Sequence, residues 1–271
     1  MIGAIIGDIV GSRFEFDDYN IKTKEFDLFH KDCEYTDDSL MTVAVAAALM
    51  KWRDEGGNLR EITTAAMRAF AHAIPCGGYG GRFADWLFGD DPKPYNSWGN
   101  GSAMRVSACG WIGSSLDEVK SLSLQVTDIT HNHPDGIKGA EATAVAIWFA
   151  RQGWEIPEIR AHIVENYYSI NFTLDEIRPT YHMDESCQGS VPQALEAFFE
   201  STSFEDAIRN AVSIGGDSDT IAAIAGSVAE AYWGVPKELV TKAESYLEPE
   251  MLQVLHKFQG RHLGENQDKP Q

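Results

Sequence analysis

Two acidic turns share one design in this sequence: Tyr35-Thr36-Asp37-Asp38-Ser39 and Gly215-Gly216-Asp217-Ser218-Asp219-Thr220. Each meets a run of small and apolar residues at helical spacing, Ser39–Trp52 after the first and Thr220–Trp233 after the second. Taken alone, one pair reads as well as a helix cap with a first-turn acid, where the helix dipole favours negative charge. Two pairs, each abutting a helix too apolar for the surface, imply carboxylates that converge inside the protein. Left uncompensated, such burial is very costly. Four negative charges are matched by two divalent cations, and oxygen ligands suit a hard ion such as Mg²⁺ or Mn²⁺ rather than Zn²⁺. Thr36 and Thr220 place hydroxyls beside the acids to complete the coordination, and Gly215 and Gly216 let the backbone turn sharply into the site.

Three further segments carry chemistry. Glu15 stands between Phe14 and Phe16; its plain reading is a surface loop acid, and burial would raise its pKa into a range suited to proton transfer. The glycines of Gly99-Asn100-Gly101-Ser102-Ala103-Met104-Arg105 let backbone N–H groups come close to phosphate oxygens. Thr130-His131-Asn132-His133-Pro134-Asp135 precedes a helical stretch, and by itself it reads as a capping turn. The glycine-rich Cys76–Arg82 segment matches neither the dinucleotide fingerprint nor the Walker pattern.

The elements that must hold these residues are helical almost throughout. Besides the two runs above, Asp135–Gly153 and Glu205–Ile214 repeat small and apolar residues every three or four positions. Ser115 with Glu118 and Ser203 with Asp206 read as capping boxes, and Pro236 fits the first turn of a last helical region reaching about Phe258. Gly3, Gly7 and Gly11, four apart, form a smooth stripe along a first helix that lets a neighbouring backbone come close. Period-2 alternation is nearly absent. The expected fold is all-α: a compact bundle of many helices in a single domain over residues 1–263, with loops Cys76–Arg82 and Trp98–Ser102 over one face and a flexible tail at 264–271.

Composition narrows the function classes. With 22 basic and 41 acidic residues among 271, the net charge of −19 argues against nucleic acid and anionic membranes as partners. Apolar residues at 44% are ample for a core. The four scattered cysteines indicate neither a disulfide framework nor a zinc knuckle, which fits a reducing cytoplasm. The N-terminal apolar run lacks a basic flank and is interrupted by Asp8, so it makes a poor signal peptide.

Taken together and in order, Gly3-Ala-Ile-Ile-Gly-Asp8, Phe14-Glu15, Tyr35-Thr36-Asp37-Asp38, Gly99-Asn-Gly-Ser-Ala-Met-Arg105, Thr130-His131 and Gly215-Gly-Asp-Ser-Asp-Thr220 resemble the ADP-ribosylglycohydrolase family. The resemblance implies an all-α fold with a binuclear magnesium or manganese site. It implies Thr36, Asp37, Asp38, Asp217, Asp219 and Thr220 as metal ligands, and Glu15, Asp37 and Asp38 as the catalytic acids. Asn100, Gly101, Ser102 and Met104 correspond to the loop that holds diphosphate and ribose, and His131 to a further ligand contact. Ser39 stands where many members have threonine, and Asn171–Gly189 falls outside these motifs. The implied substrate is an ADP-ribosylated protein, arginine-linked as the first expectation, or a serine-linked or small-molecule ADP-ribose conjugate, handled by a monomer. A metal-dependent phosphohydrolase and a non-catalytic binding protein are the competing classes.

Overall fold

In the computed structural model residues 1–74 and 76–262 are described. They form fifteen α-helices: α1 Ile2–Gly11, α2 Asp37–Glu55, α3 Leu59–Ala73, α4 Gly81–Phe88, α5 Gly101–Met104, α6 Ser107–Ile112, α7 Leu116–Thr127 and α8 Pro134–Arg151, followed by α9 Ile156–Asn166, α10 Leu174–Ile177, α11 Cys187–Phe199, α12 Phe204–Ser213, α13 Ser218–Trp233, α14 Lys237–Glu244 and α15 Pro249–His262. A short 3₁₀ turn, Ser12–Phe14, extends α1. Among the described residues extended pairing is confined to one bridge between Gly99 and Ser186. No described helix is long and apolar enough to cross a membrane. The tail expected from residue 264 lies outside the described residues.

At the centre α1 lies against α13 with backbones in contact. A Cβ on Gly3 would fall on the carbonyl oxygen of Gly226, one on Gly7 on that of Ala222, and one on Gly11 only 2.5 Å from the Cα of Asp219. The glycine stripe therefore does what its spacing predicts, and it brings the end of α1 to the start of α13. Every residue of α1 is buried, including Asp8. The alanine-rich α8 and the first two-thirds of α2 pack into the same core. All of this layering serves to bury two helix N-termini, those of α2 and α13.

Helix boundaries depart from expectation in instructive ways. Ser115 and Ser203 accept from the amides of Glu118 and Asp206 as N-caps, but those acids reach one residue further back, to Ser114 and Thr202. The reciprocal capping boxes belong instead to Glu155/Glu158 and Thr173/Glu176. The last helical region is two helices, because Pro249 has no N–H and biases Glu248 away from helical backbone. Pro236 is the N-cap of α14 and stands just before its first turn. Of the two predicted loops, the first yields its last two residues to α4 and the second ends at Asn100, where α5 begins.

Candidate active site

The α2 N-terminus is built around an acid from another helix. Asp8 accepts from the Thr36 amide at 3.0 Å, the Thr36 hydroxyl at 2.8 Å, the Ser39 amide at 3.0 Å and the Ser39 hydroxyl. Thr36 is the N-cap of α2 and accepts from the Asp38 amide. Asp37 and Asp38 thus occupy the first turn, buried, with their side chains free of capping duty. Thr36 donates its proton to Asp8 and accepts from the Asp38 amide, which leaves one oxygen lone pair available to a cation.

The α13 N-terminus carries the second pair. Gly215 and Gly216 take φ of 72° and 74°, which a residue with a Cβ rarely adopts, and swing the chain into the helix. Asp217 is the N-cap residue but its side chain makes no cap bond; it accepts from the Asn100 amide group at 2.6 Å. Asp219 accepts from the Thr220 backbone N–H at 2.9 Å, and the Thr220 hydroxyl donates to Asp38 at 3.3 Å. That last bond joins the two acidic turns directly. The other Asp38 oxygen, Oδ1, is buried without a hydrogen-bond partner among the described residues. Carboxylate oxygens of Glu15, Asp217 and Asp219 lie within 4.8 Å of one another.

Electrostatics agree with the geometry. Burial first, then neighbouring carboxylates, push Asp37 up to about 8 and Glu15 up to about 7, and burial holds Asp8 up at about 6. Asp38 and Asp219 are held well above the usual carboxylate range by burial and by the other acids, and Asp217 is raised by burial against the pull of its hydrogen bonds. Such a crowd of buried acids, one with an orphaned oxygen, has the composition of a hard-cation site. Asp37, Asp38, Asp217 and Asp219 are all buried in this crowd, Thr36 and Thr220 are hydrogen-bonded within it, and half-buried Glu15 groups with Asp217 and Asp219.

The glycine-turn residues are placed beside this centre, with roles that differ among them. Asn100 spends its amide on Asp217 and on the Ser190 hydroxyl, so it orients an acid. The Ser102 hydroxyl is fully buried and donates to the Gly136 carbonyl at 2.8 Å. Met104 is buried, and its carbonyl accepts from Thr42. A Cβ on Gly99 or Gly101 would stand 3.5 Å from His131 Nε2, so the buried imidazole edge faces the turn. The cap of α8 is His133, which accepts from the Asp135 amide; His131 has no capping duty.

A cleft of about 470 Å³ opens next to this turn, lined in part by Arg82, Trp98, Gly99, Met183, Glu185 and Ser186. Its far wall is Met183–Ser186, within the Asn171–Gly189 segment, which reaches the centre through the Glu185 carbonyl, acceptor for the Asn100 backbone N–H. Tyr181 packs against Gly216. Sequence reasoning missed this wall because no local pattern marks it. It also passed over Asp8 as a ligand organiser, although a lone acid inside an otherwise apolar, glycine-striped helix was the available signal.

Comparison with known proteins bears on this arrangement. A family model described as ADP-ribosylglycohydrolase matches residues 1–264. The chain is 29% identical over 211 residues to human ADP-ribosylhydrolase ARH3, covering 59% of this chain and 58% of that protein. It therefore spans little more than half the length of that relative. It is 25% identical over 281 residues to ADP-ribosylarginine hydrolase Tri1 of Pseudomonas putida, covering 89% of this chain and 72% of that protein. Among solved structures, an ADP-ribosylglycohydrolase-related protein complex aligns with a TM-score of 0.65 at 20% identity, over 97% of this chain and 92% of that one, a likeness of fold. With the family model matched along nearly its whole length, this chain belongs to the ADP-ribosylglycohydrolase family.

Proposed function

We propose that this protein is a divalent-metal-dependent hydrolase that cleaves the glycosidic bond between ADP-ribose and an acceptor, with arginine of a modified protein as the first-choice acceptor. The observation that carries the reading is the meeting of the two acidic turns, linked by Thr220 and Asp38, in a buried pocket whose carboxyls are all pushed upward. Two Mg²⁺ or Mn²⁺ ions would be held by Thr36, Asp37, Asp38, Asp217, Asp219 and Thr220. When bound, they supply charge stabilisation and orientation for the ribose hydroxyls and a water.

The chain's own groups do the rest. Glu15 is the acid of the cluster that stays partly open to solvent, so it can exchange a proton with water, and its raised pKa suits that transfer at the oxocarbenium-like stage of glycoside cleavage. The buried Asp38, with one oxygen taken by Thr220, is better placed as a ligand. The Gly99–Gly101 turn and the cleft beside the half-exposed Trp98 offer backbone and a flat aromatic face to the nucleotide part. The name of the Tri1 relative supports arginine as acceptor.

A panel of arginine-linked, serine-linked and small-molecule ADP-ribosyl substrates, assayed with Mg²⁺ and with Mn²⁺, tests the reading. Intact ADP-ribose should be released, from the arginine-linked substrate fastest. Release of AMP or phosphate points to a phosphohydrolase instead, and ligand retention after chelation without turnover points to a binding protein. Asp37→Ala and Asp219→Ala should each abolish cation binding and turnover together; unchanged turnover in either variant sinks the proposal.

A further inference from the structure

Among the described residues Arg105 is the largest fully buried side chain, and its Nε and Nη1 have no hydrogen-bond partner there. A buried cation so poorly partnered is costly, and packing alone would be served better by a hydrophobic residue. Its remaining nitrogen, Nη2, donates to the Thr130 hydroxyl at 2.6 Å and lies 3.4 Å from His131 Nδ1. The Thr130 oxygen is 2.7 Å from His131 Nδ1 and 3.4 Å from its other acceptor, the Thr127 carbonyl.

These contacts favour one arrangement of the protons. A guanidinium can only donate, so Thr130 receives from Arg105 and has one proton to give. The nearer acceptor is His131 Nδ1. Given there rather than to the Thr127 carbonyl, that proton joins the Arg105 N–H in facing Nδ1, which leaves Nδ1 as the bare nitrogen and the ring proton on Nε2. Nε2 is the edge that faces the Gly99 and Gly101 backbone. Burial, then Arg105, keep His131 well below its ordinary range, so the ring is neutral, while Arg105 at about 10 is still charged. The Tyr95 ring is a further titratable neighbour, with centroids 6.1 Å apart.

We infer that Arg105 is a positioning residue which, through Thr130, locks His131 in its neutral Nε2–H form, so that a hydrogen-bond donor faces the glycine turn with a cation held behind it. An oxyanion resting on the turn meets a fixed donor and a favourable field without touching the guanidinium. The identity of that oxyanion as the ADP-ribose diphosphate rests on the function proposed above; the proton arrangement does not.

Long-range proton–nitrogen NMR of the full chain labelled with ¹⁵N-histidine, with His131→Gln for assignment, reads the tautomer at neutral pH. The wild type should show Nε2–H. Arg105→Met, which fills the same space without donors, should give a tautomer mixture and bind ADP-ribose about tenfold more weakly in the presence of Mg²⁺, with Mn²⁺ affinity unchanged. Arg105→Lys, which restores a donor, should recover most of both. Should the methionine variant fail to fold, Thr130→Val removes the relay with the guanidinium left in place and predicts the same mixture. An Nδ1–H signal in the wild type overturns the inference, as does a pure Nε2–H signal with full ADP-ribose affinity in Arg105→Met, or an equal loss of Mn²⁺ affinity. A wild type that shows Nε2–H and binds no ADP-ribose supports the relay and sinks the ADP-ribose reading.

Discussion

Asp8 collects two backbone and two hydroxyl donors from Thr36 and Ser39 and gives none in return, so it is the acceptor on which the α2 N-terminus is assembled. Removing it leaves those donors buried and unpaired. Asp8→Ala is expected to cost about 3 kcal/mol in urea unfolding, the order for a buried charge that organises several hydrogen bonds. It should also weaken Mn²⁺ binding measured by calorimetry, because Thr36 loses the partner that aims its oxygen. A loss under about 1 kcal/mol would show that water or a neighbour replaces Asp8. At this scale the metal-ligand candidates were legible, since two acidic turns of one design before apolar helices are hard to explain as caps. The helpers Asp8, Arg105 and Ser190 were not, because each acts on a residue distant in sequence.

At the scale of elements, the decisive contact is α1 against α13. A side chain at Gly7 has no room: its first carbon would overlap the Ala222 carbonyl. Gly7→Val is therefore expected to destabilise by about 3 kcal/mol, at the upper end for overpacking. Because the same contact sets Asp8 beside the two acidic turns, the folded fraction that survives should bind Mn²⁺ more weakly. Gly260→Ala is the matched control. That glycine lies in α15, exposed, with nothing within 4 Å of a new Cβ. It should gain about 0.5–1 kcal/mol from reduced freedom of the unfolded chain, with metal binding untouched. Chemical denaturation of the two variants side by side checks both signs.

For the whole molecule, the buried acids make stability depend on pH and on cations together. Asp37 at about 8 and Glu15 at about 7 lie above the values near 4 that free carboxyls show. The folded state therefore binds more protons than the unfolded one across that interval. The stability tied to these groups is complete below about pH 4 and is lost as pH rises through about 7 and 8. The chelated protein should accordingly melt at lower temperature at about pH 8 than at about pH 6, by differential scanning calorimetry. Saturating Mg²⁺ or Mn²⁺ should narrow or reverse the difference, since cations displace those protons and bind only the folded state. A chelated protein that gains stability over this window contradicts the assignment.

The helical class, four helical runs that include the three longest helices, the glycine stripe and both acidic turns were open to reading from local pattern alone. Spacing, capping chemistry and charge placement are written in contiguous residues, and they pointed to a hard-cation site before any contact was known. The tertiary structure decided what depends on residues far apart in the chain. It made Asp8 the organiser of α2, turned Asn100 toward Asp217 and Ser102 toward Gly136, and set Arg105 behind Thr130 and His131. It also brought Met183–Ser186, within Asn171–Gly189, round as one wall of the cleft. A hydrogen-bonding side chain has several partners open to it in principle, and only the packing of helices distant in sequence selects among them.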